Sequence, residues 1–235
     1  MKSTIILSDL HLGERVNKKR KRAFLEAFRN YDRIILNGDF LDDYWDYFKT
    51  RNSGWSPVFE FLKSKEVIYV FGNHDRDSVE LRQATDDFVD TYCDECFLPV
   101  GEHELVIRHG HRIYPRPDTI LYTPANNIFQ KILKWFVKGI WKIIYPIILI
   151  TRFSIEKYPK TLAYLQRWFV KPQNRRMKAY AKENLEPHQI LVCGHSHYAQ
   201  DLRDEQFINE GANSYNRIEY LSIRGDEMKL VVKKL

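Results

Sequence analysis

The chain has 235 residues, 44% of them hydrophobic and 14% aromatic, and carries a net charge of +6. That is ample for one sizeable core, so one domain with an insertion is expected rather than two domains. Its three cysteines exclude a disulfide framework and favour a reducing compartment.

In chain order, the first apolar run is Thr4–Ser8, read as a strand that passes straight into Asp9. It leaves no room for a cleaved leader, which predicts a cytoplasmic protein. A helix over 18–30 opens on the basic run Lys18-Lys19-Arg20-Lys21-Arg22, either a solvated helix terminus or a contact for anionic headgroups or substrate phosphates. Strands follow at 33–37 and 67–71, with helical patterns at 57–65 and 78–89. Cys93 and Cys96 form a lone CxxC without a second pair or a glycine-rich knuckle. A strand at 104–108 precedes residues 112–187, which read as helix after helix punctuated by Pro115, Pro117, Pro124, Pro146, Pro159, Pro172 and Pro187. A strand at 189–193 leads to a tail in which Phe207–Asn209, Arg217–Ile223 and Met228–Lys233 alternate apolar with polar. Arg224-Gly225-Asp226 marks a turn, so the tail is expected to be antiparallel and to form or close a second sheet. Alternating strands and helices imply a largely parallel sheet. The expected fold is α/β (α+β in some schemes): a β-sandwich flanked by helices, one domain over 1–235, with a helical cap inserted at 112–187.

Five segments concentrate metal-ligand residue types: Asp9-Leu10-His11, Gly38-Asp39, Gly72-Asn73-His74-Asp75, His109-Gly110 and Gly194-His195-Ser196-His197. Nearly every one directly follows an apolar run, so the topology can gather them at one sheet edge. Hard divalent cations at a hydrolytic centre take carboxylate and amide oxygen and imidazole nitrogen. Asp9, His11, Asp39, Asn73, His109, His195 and His197 supply that set. In extended backbone, residues i and i+2 share a side, which pairs Asp9 with His11 and His195 with His197. Gly38, Gly72 and Gly194 precede ligand residues, where glycine permits a tight turn. Two metals about 3.5–4 Å apart can share one carboxylate and clamp a phosphate for in-line attack.

The order DxH, GD, GNHD, HG, GHxH resembles the calcineurin-like metallophosphoesterase superfamily, over residues 9 to 197. Asn209-Glu210-Gly211-Ala212 resembles the short turn that often follows. The resemblance implies that Asp9, His11 and His197 hold one metal, that Asn73, His109 and His195 hold the other, and that Asp39 bridges them. It gives His74 the role of general acid or phosphate stabiliser, oriented by Asp75. Such a role suits a histidine, which titrates in the useful range. Mixed Asp, His and Asn ligation suits two divalent ions, Mn²⁺ first, with Fe or Zn²⁺ as alternatives. His111 and Arg112, just beyond His109, are candidate substrate contacts, as are Arg175 and Arg176.

The insertion sets the expected substrate. Residues 112–187 hold 15 Lys and Arg against 4 Asp and Glu, so they carry +11 and the remainder −5. Lys131, Lys134, Lys138 and Lys142 fall on one face of a helix within an otherwise apolar 128–150 stretch containing Trp135 and Trp141. No run reaches the length of a membrane span. The pattern fits an interfacial helix, or else a face packed on the domain or a partner subunit. A helical cap at this position is similar to that of the UDP-2,3-diacylglucosamine pyrophosphatases, peripheral membrane enzymes of lipid A synthesis. That branch typically has Gly-Asn-Arg-Asp in place of Gly72-Asn73-His74-Asp75, and acidic residues after His-Gly where this chain has His111-Arg112. The expectation is therefore a phosphoesterase or pyrophosphatase acting on a lipid-linked or nucleotide-sugar-lipid phosphate, cytoplasmic and peripheral on the inner membrane face. The alternative is a soluble phosphodiesterase or nuclease whose basic runs meet nucleic acid. A non-catalytic scaffold would be free to lose ligands, and all seven ligand positions are present.

Overall fold

The computed structural model describes residues 2–13, 16–41, 47–114, 159–213 and 217–235, with the backbone alone over 159–170. The predicted 128–150 helix, and with it much of the 112–187 cap, lies outside the described residues.

The first half of the chain alternates strand and helix: β1 (Thr4–Leu7), α1 (Lys18–Arg29), β2 (Arg33–Asn37), α2 (Tyr47–Arg51), α3 (Ser56–Leu62), β3 (Glu66–Val70), α4 (Val79–Thr85) and β4 (Thr91–Cys93). The second half runs β5 (Cys96–Val100), β6 (His103–Ile107), α5 (Pro159–Asn184), β7 (Gln189–Cys193), β8 (Gln200–Leu202), β9 (Phe207–Asn209), β10 (Arg217–Arg224) and β11 (Glu227–Lys234). Two sheets result, in the order β11-β10-β1-β2-β3-β4 and β5-β6-β7-β9-β8. Strands β1 to β4 are parallel, as are β6, β7 and β9. The tail divides between the sheets. The β10–β11 hairpin pairs antiparallel with β1 and extends the first sheet, while β9 joins the second sheet parallel to β7. The predicted antiparallel tail thus holds for the β10–β11 hairpin and for β9 against β8, while the β9–β7 pairing is parallel, because period-2 patterning reports a half-buried strand and not its neighbours.

Strand residues alternate between two apolar layers. Ile6, Ile35, Val70, Leu105, Ile107, Ile190 and Val192 face inward between the sheets. Ile5, Leu7, Ile34 and Leu36 face outward, under Phe24 and Phe28 of α1 and Val58 and Phe59 of α3. On the other side Met177 and Ala181 of α5 cover Leu191, Cys193 and Phe207. Helices therefore flank a two-sheet sandwich, and strands buried on both faces read as unbroken apolar runs. A one-residue slip of β1 would exchange its layers, so register is fixed at the residue where the site begins. Among the described residues no helix is long and apolar enough to cross a membrane.

Candidate metal centre

Five parallel strands end at one edge, and each releases a ligand-bearing loop: Asp9 after β1, Asp39 after β2, Asn73 after β3, His109 after β6 and His195 after β7. The crevice beyond the carboxyl ends of such strands is where open α/β sheets bind ligands. The loops do not stay extended. Asp9, His11, Asp39, His195 and His197 all take positive φ, between +44° and +61°. The pairs Asp9/His11 and His195/His197 therefore converge through left-handed backbone, not through strand alternation. A left-handed non-glycine residue costs about 1–2 kcal/mol, and strain of this kind gathers at functional sites. Glycine serves two purposes here. Gly38 has φ +77° and makes a turn, but Gly72 and Gly194 are needed for close approach. A Cβ on Gly72 would fall on the Asp39 carboxylate and amide, and one on Gly194 on Ser8 and Asp9.

Three groups of donor atoms each fit within 4.8 Å: Asp9 with His11 and His197, His11 with Asp39 and His74, and Asp39 with His109 and His195. Asp9 Oδ1 lies 2.9 Å from His197 Nε2 and 3.8 Å from His11 Nε2. Asp39 Oδ2 lies 3.2 Å from His109 Nε2 and 3.9 Å from His11 Nε2, so it stands between the outer groups. Asn73 Oδ1 is buried and accepts no hydrogen bond. A buried amide oxygen without a donor is costly, and a cation would satisfy it. His109 Nδ1 donates to the Asn37 carbonyl at 2.9 Å and His195 Nε2 to the Tyr114 carbonyl at 2.9 Å. Each bond fixes a tautomer that leaves the other nitrogen for a ligand. The residues thus fit a divalent metal centre.

Electrostatics agree. Burial by itself would raise the Asp9 and Asp39 carboxyls, but His197 and His109 beside Asp9, and His109 and His74 beside Asp39, hold both below the usual range. Burial opposes the His109 imidazolium, yet Asp39 and Asp9 raise its pKa to about 9. Protons there stand where cations would bind, since metal binding releases them.

Asp75 is bonded to the Asp39 loop. Its Oδ1 accepts from the Asp39 and Gly72 amides at 2.9 Å each. Its Oδ2 accepts from the Phe40 amide and the Tyr69 hydroxyl at 2.6 Å each and from the Leu41 amide at 3.3 Å. It is a fully buried clamp on the Asp39 loop, and burial together with Asp39 pushes its pKa up to about 6. His74 is placed by its own amide, which donates to Asp39 Oδ1 at 2.9 Å, and its ring meets His11 edge-on at 4.9 Å.

The sequence profile of the calcineurin-like phosphoesterase family matches residues 2–199. The chain belongs to that family. The phosphoesterase is accordingly a hydrolase of phosphoesters, and its family is metal-dependent. No curated protein matches it. Among solved structures it is similar to YfcE, a phosphoesterase from E. coli (17% identity, 98% of this chain and 92% of that one, TM-score 0.47). It is also similar to a Vps29 mutant from Entamoeba histolytica (13%, 99% and 99%, 0.43) and to the nuclease MPE of Pseudomonas putida (20%, 45% and 53%, 0.31).

The remaining candidates are scattered. His111 is within 5.5 Å of His109 by ring centroids, and its buried Nδ1 has no hydrogen bond. It lines a cavity of about 100 Å³ with Asp94, Glu95, Arg108 and Arg112. Arg112 is exposed and pairs with Asp94 at 2.8 Å. Arg175 and Arg176 are exposed on α5. Cys93 and Cys96 are free thiols on strands of different sheets, and burial pushes Cys93 up to about 12, away from reactivity. In the basic run, Arg20 turns inward: its guanidinium donates to the Leu10 carbonyl, between two ligand residues, and lies over Phe24 and Trp55. Sequence reasoning read Arg20 only as part of a basic run and Glu210 only as part of a turn, and it passed over Asn37. Asn37 Nδ2 donates to Glu210 Oε1 at 2.6 Å and to the Arg108 carbonyl at 3.2 Å, tying the two sheets behind His109. A run of five bases gives no sign of which one is buried.

Proposed function

We propose that the chain is a dinuclear phosphoesterase or pyrophosphatase that cleaves a phosphate ester or diphosphate bond of a lipid-linked or nucleotide-sugar-lipid substrate at a membrane surface. The observation that carries the reaction is Asp39, a buried carboxylate facing His11 on one side and His109 on the other. In this reading Asp9, His11 and His197 would hold one cation and Asn73, His109 and His195 the second, with Asp39 a ligand available to both. Bound divalent ions would supply charge for the phosphate oxygens and a water acidic enough to attack. His74, beside His11 and at the rim of the group, would donate the proton to the leaving oxygen. Mn²⁺ is the first candidate because the donor set is oxygen and imidazole with no thiolate. The lipid substrate is supported by the basic, tryptophan-bearing 128–150 stretch and its +11 surroundings.

The test is Mn²⁺-dependent hydrolysis of a UDP-diacylglucosamine-type lipid beside a simple aryl phosphodiester, with Asp39→Ala as control. The expected result is turnover of the lipid at least tenfold above the aryl ester, abolished in the variant. Turnover of the aryl ester alone, indifferent to vesicles, would overturn the lipid reading and favour a soluble phosphodiesterase. Undiminished activity in Asp39→Ala would overturn the metal reading itself.

A further inference from the structure

The last ligand loop is gripped from outside by one side chain of α5. Asn174 is buried, at 2% exposure. Its Oδ1 accepts from Ser196 Oγ at 2.6 Å and from Asn209 Nδ2 at 3.3 Å. Its Nδ2 donates to the Tyr198 carbonyl and to Gln200 Oε1, both at 3.0 Å. Ser196 is fully buried and sits between His195 and His197, whose φ angles are +61° and +60°. Strand pairing gives this loop no support, since β7 ends at Cys193 and β8 begins at Gln200. The Ser196 amide bonds only as far as the Gly194 carbonyl, at 2.7 Å. Two left-handed residues in a row of three persist only where the surroundings over-determine them. The His195 amide donates to Asp9 Oδ2 at 2.8 Å, and Asn174, with Asn209 donating to the Gly194 carbonyl at 2.7 Å, supplies the remaining constraint from the outer side.

We propose that Asn174 is a positioning residue for the metal centre, gripping Ser196 and the Tyr198 carbonyl so that His195 and His197 aim at their two groups. Helix α5, which ends the 112–187 insertion, thereby becomes part of the ligand cage. The inference rests on the two-metal reading above. Asn174 is not what docks the helix: Met177 and Ala181 already seat α5 on Leu191, Cys193 and Phe207. Loss of the amide therefore leaves a docked helix and a loosened loop, and these effects can be measured apart.

The experiment is calorimetric titration of the chelator-stripped full chain with Mn²⁺, comparing wild type, Asn174→Ala, Ser196→Ala and the double variant, with denaturant unfolding of each metal-free protein. Ser196→Ala removes one hydroxyl and keeps the assay informative should Asn174→Ala fail to fold. A residue supporting metal ligands typically costs about 10–100-fold in affinity when removed. The expected result is a loss of that size in Asn174→Ala, a smaller loss in Ser196→Ala, and a double variant little worse than Asn174→Ala because both act through one bond. kcat should fall with KM nearly constant. Mn²⁺ affinity within twofold of wild type in both single variants, whatever happens to unfolding, would overturn the proposal. Strictly additive losses would overturn the route through Ser196. Asp39→Ala is run alongside: if it too binds Mn²⁺ normally, the metal-centre reading fails rather than Asn174.

Discussion

The two sheets build their halves of the centre differently. Loops of the first sheet carry both carboxylates, Asp9 and Asp39, and are fastened by charged groups: Asp75 under Asp39, and Arg20 under Leu10. Loops of the second sheet carry three of the ligand histidines, and their own fastenings are neutral amides, Asn209 on Gly194 and Asn174 on Ser196, with the His195 amide reaching across to Asp9 Oδ2 at 2.8 Å. A buried carboxylate accepting several amides is a stronger fastening than an amide, but here it sits beside another carboxylate. The first half is therefore the more dependent on bound cations, and the second the more complete without them.

The comparison breaks most sharply at the fastenings. Asp75→Ala leaves the amides of Asp39, Phe40, Leu41 and Gly72 and the Tyr69 hydroxyl without their acceptor. Removing a buried charged acceptor of this kind costs about 3–5 kcal/mol. The second-sheet counterpart, Asn209→Ala, loses a neutral donor and acceptor and should cost about 1–3 kcal/mol. Chemical denaturation of the two variants checks the ranking, and equal losses would remove the distinction between the halves.

Glu210 joins the halves through Asn37 and sharpens the comparison through pH. Burial, against the Asn37 hydrogen bond, raises its carboxyl from 4.5 to about 8. A carboxyl raised on folding stabilises fully below its unfolded pKa, and that contribution is lost as pH climbs through the folded value. The metal-free protein should therefore weaken between about pH 4.5 and pH 8, by on the order of 5 kcal/mol. Glu210→Gln keeps the acceptor for Asn37 and has no proton to lose, so its unfolding free energy should be flat relative to wild type over that window. Parallel pH profiles for the two proteins would show that the shift does not exist.

Next in size are the close approaches. Gly72→Ala intrudes on Asp39 in the first half, and Gly194→Ala on Ser8 and Asp9 across the seam. Overpacking of this kind costs about 1–3 kcal/mol. Because the intruded atoms belong to or support ligands, Mn²⁺ binding should fall further than stability in both variants, which paired calorimetry and unfolding would show.

Much of this was legible beforehand for a physical reason. Runs such as Thr4–Leu7 and Gln189–Cys193 are buried on both faces, so their ends, and the ligands after them, stand out. The predicted strands near 33–37, 67–71 and 104–108 fall within a residue of β2, β3 and β6. What did not show was everything decided by tertiary contact. The short strands β4, β5 and β8 have no pattern of their own, and the side chosen by the β10–β11 hairpin depends on pairing with β1. That Asp75 clamps the Asp39 loop follows from its five donors and not from its residue type. Asn174 lies beside Arg175 and Arg176 in a stretch that reads as basic helix, and its role comes from one buried position on it.

The smallest expected effect concerns the rim. Arg112 has 69% of its side chain exposed and pairs with Asp94. An exposed pair of this kind contributes about 0–1 kcal/mol, screened by salt. Arg112→Ala should therefore leave the unfolding midpoint essentially unchanged. If Arg112 meets substrate phosphate at the cavity beside His111, KM should rise severalfold while kcat holds, because a contact made equally in ground and transition states affects binding alone. The rise should shrink with added salt, as a surface charge interaction must. Its neighbour Arg108 is the internal comparison: it is bonded to Glu95 at 2.6 Å and to the Tyr180 hydroxyl at 2.9 Å, so Arg108→Ala should move the unfolding midpoint and not only KM. An Arg112→Ala protein with unchanged KM at low salt would confine the substrate to the metal edge and remove the rim arginine from recognition.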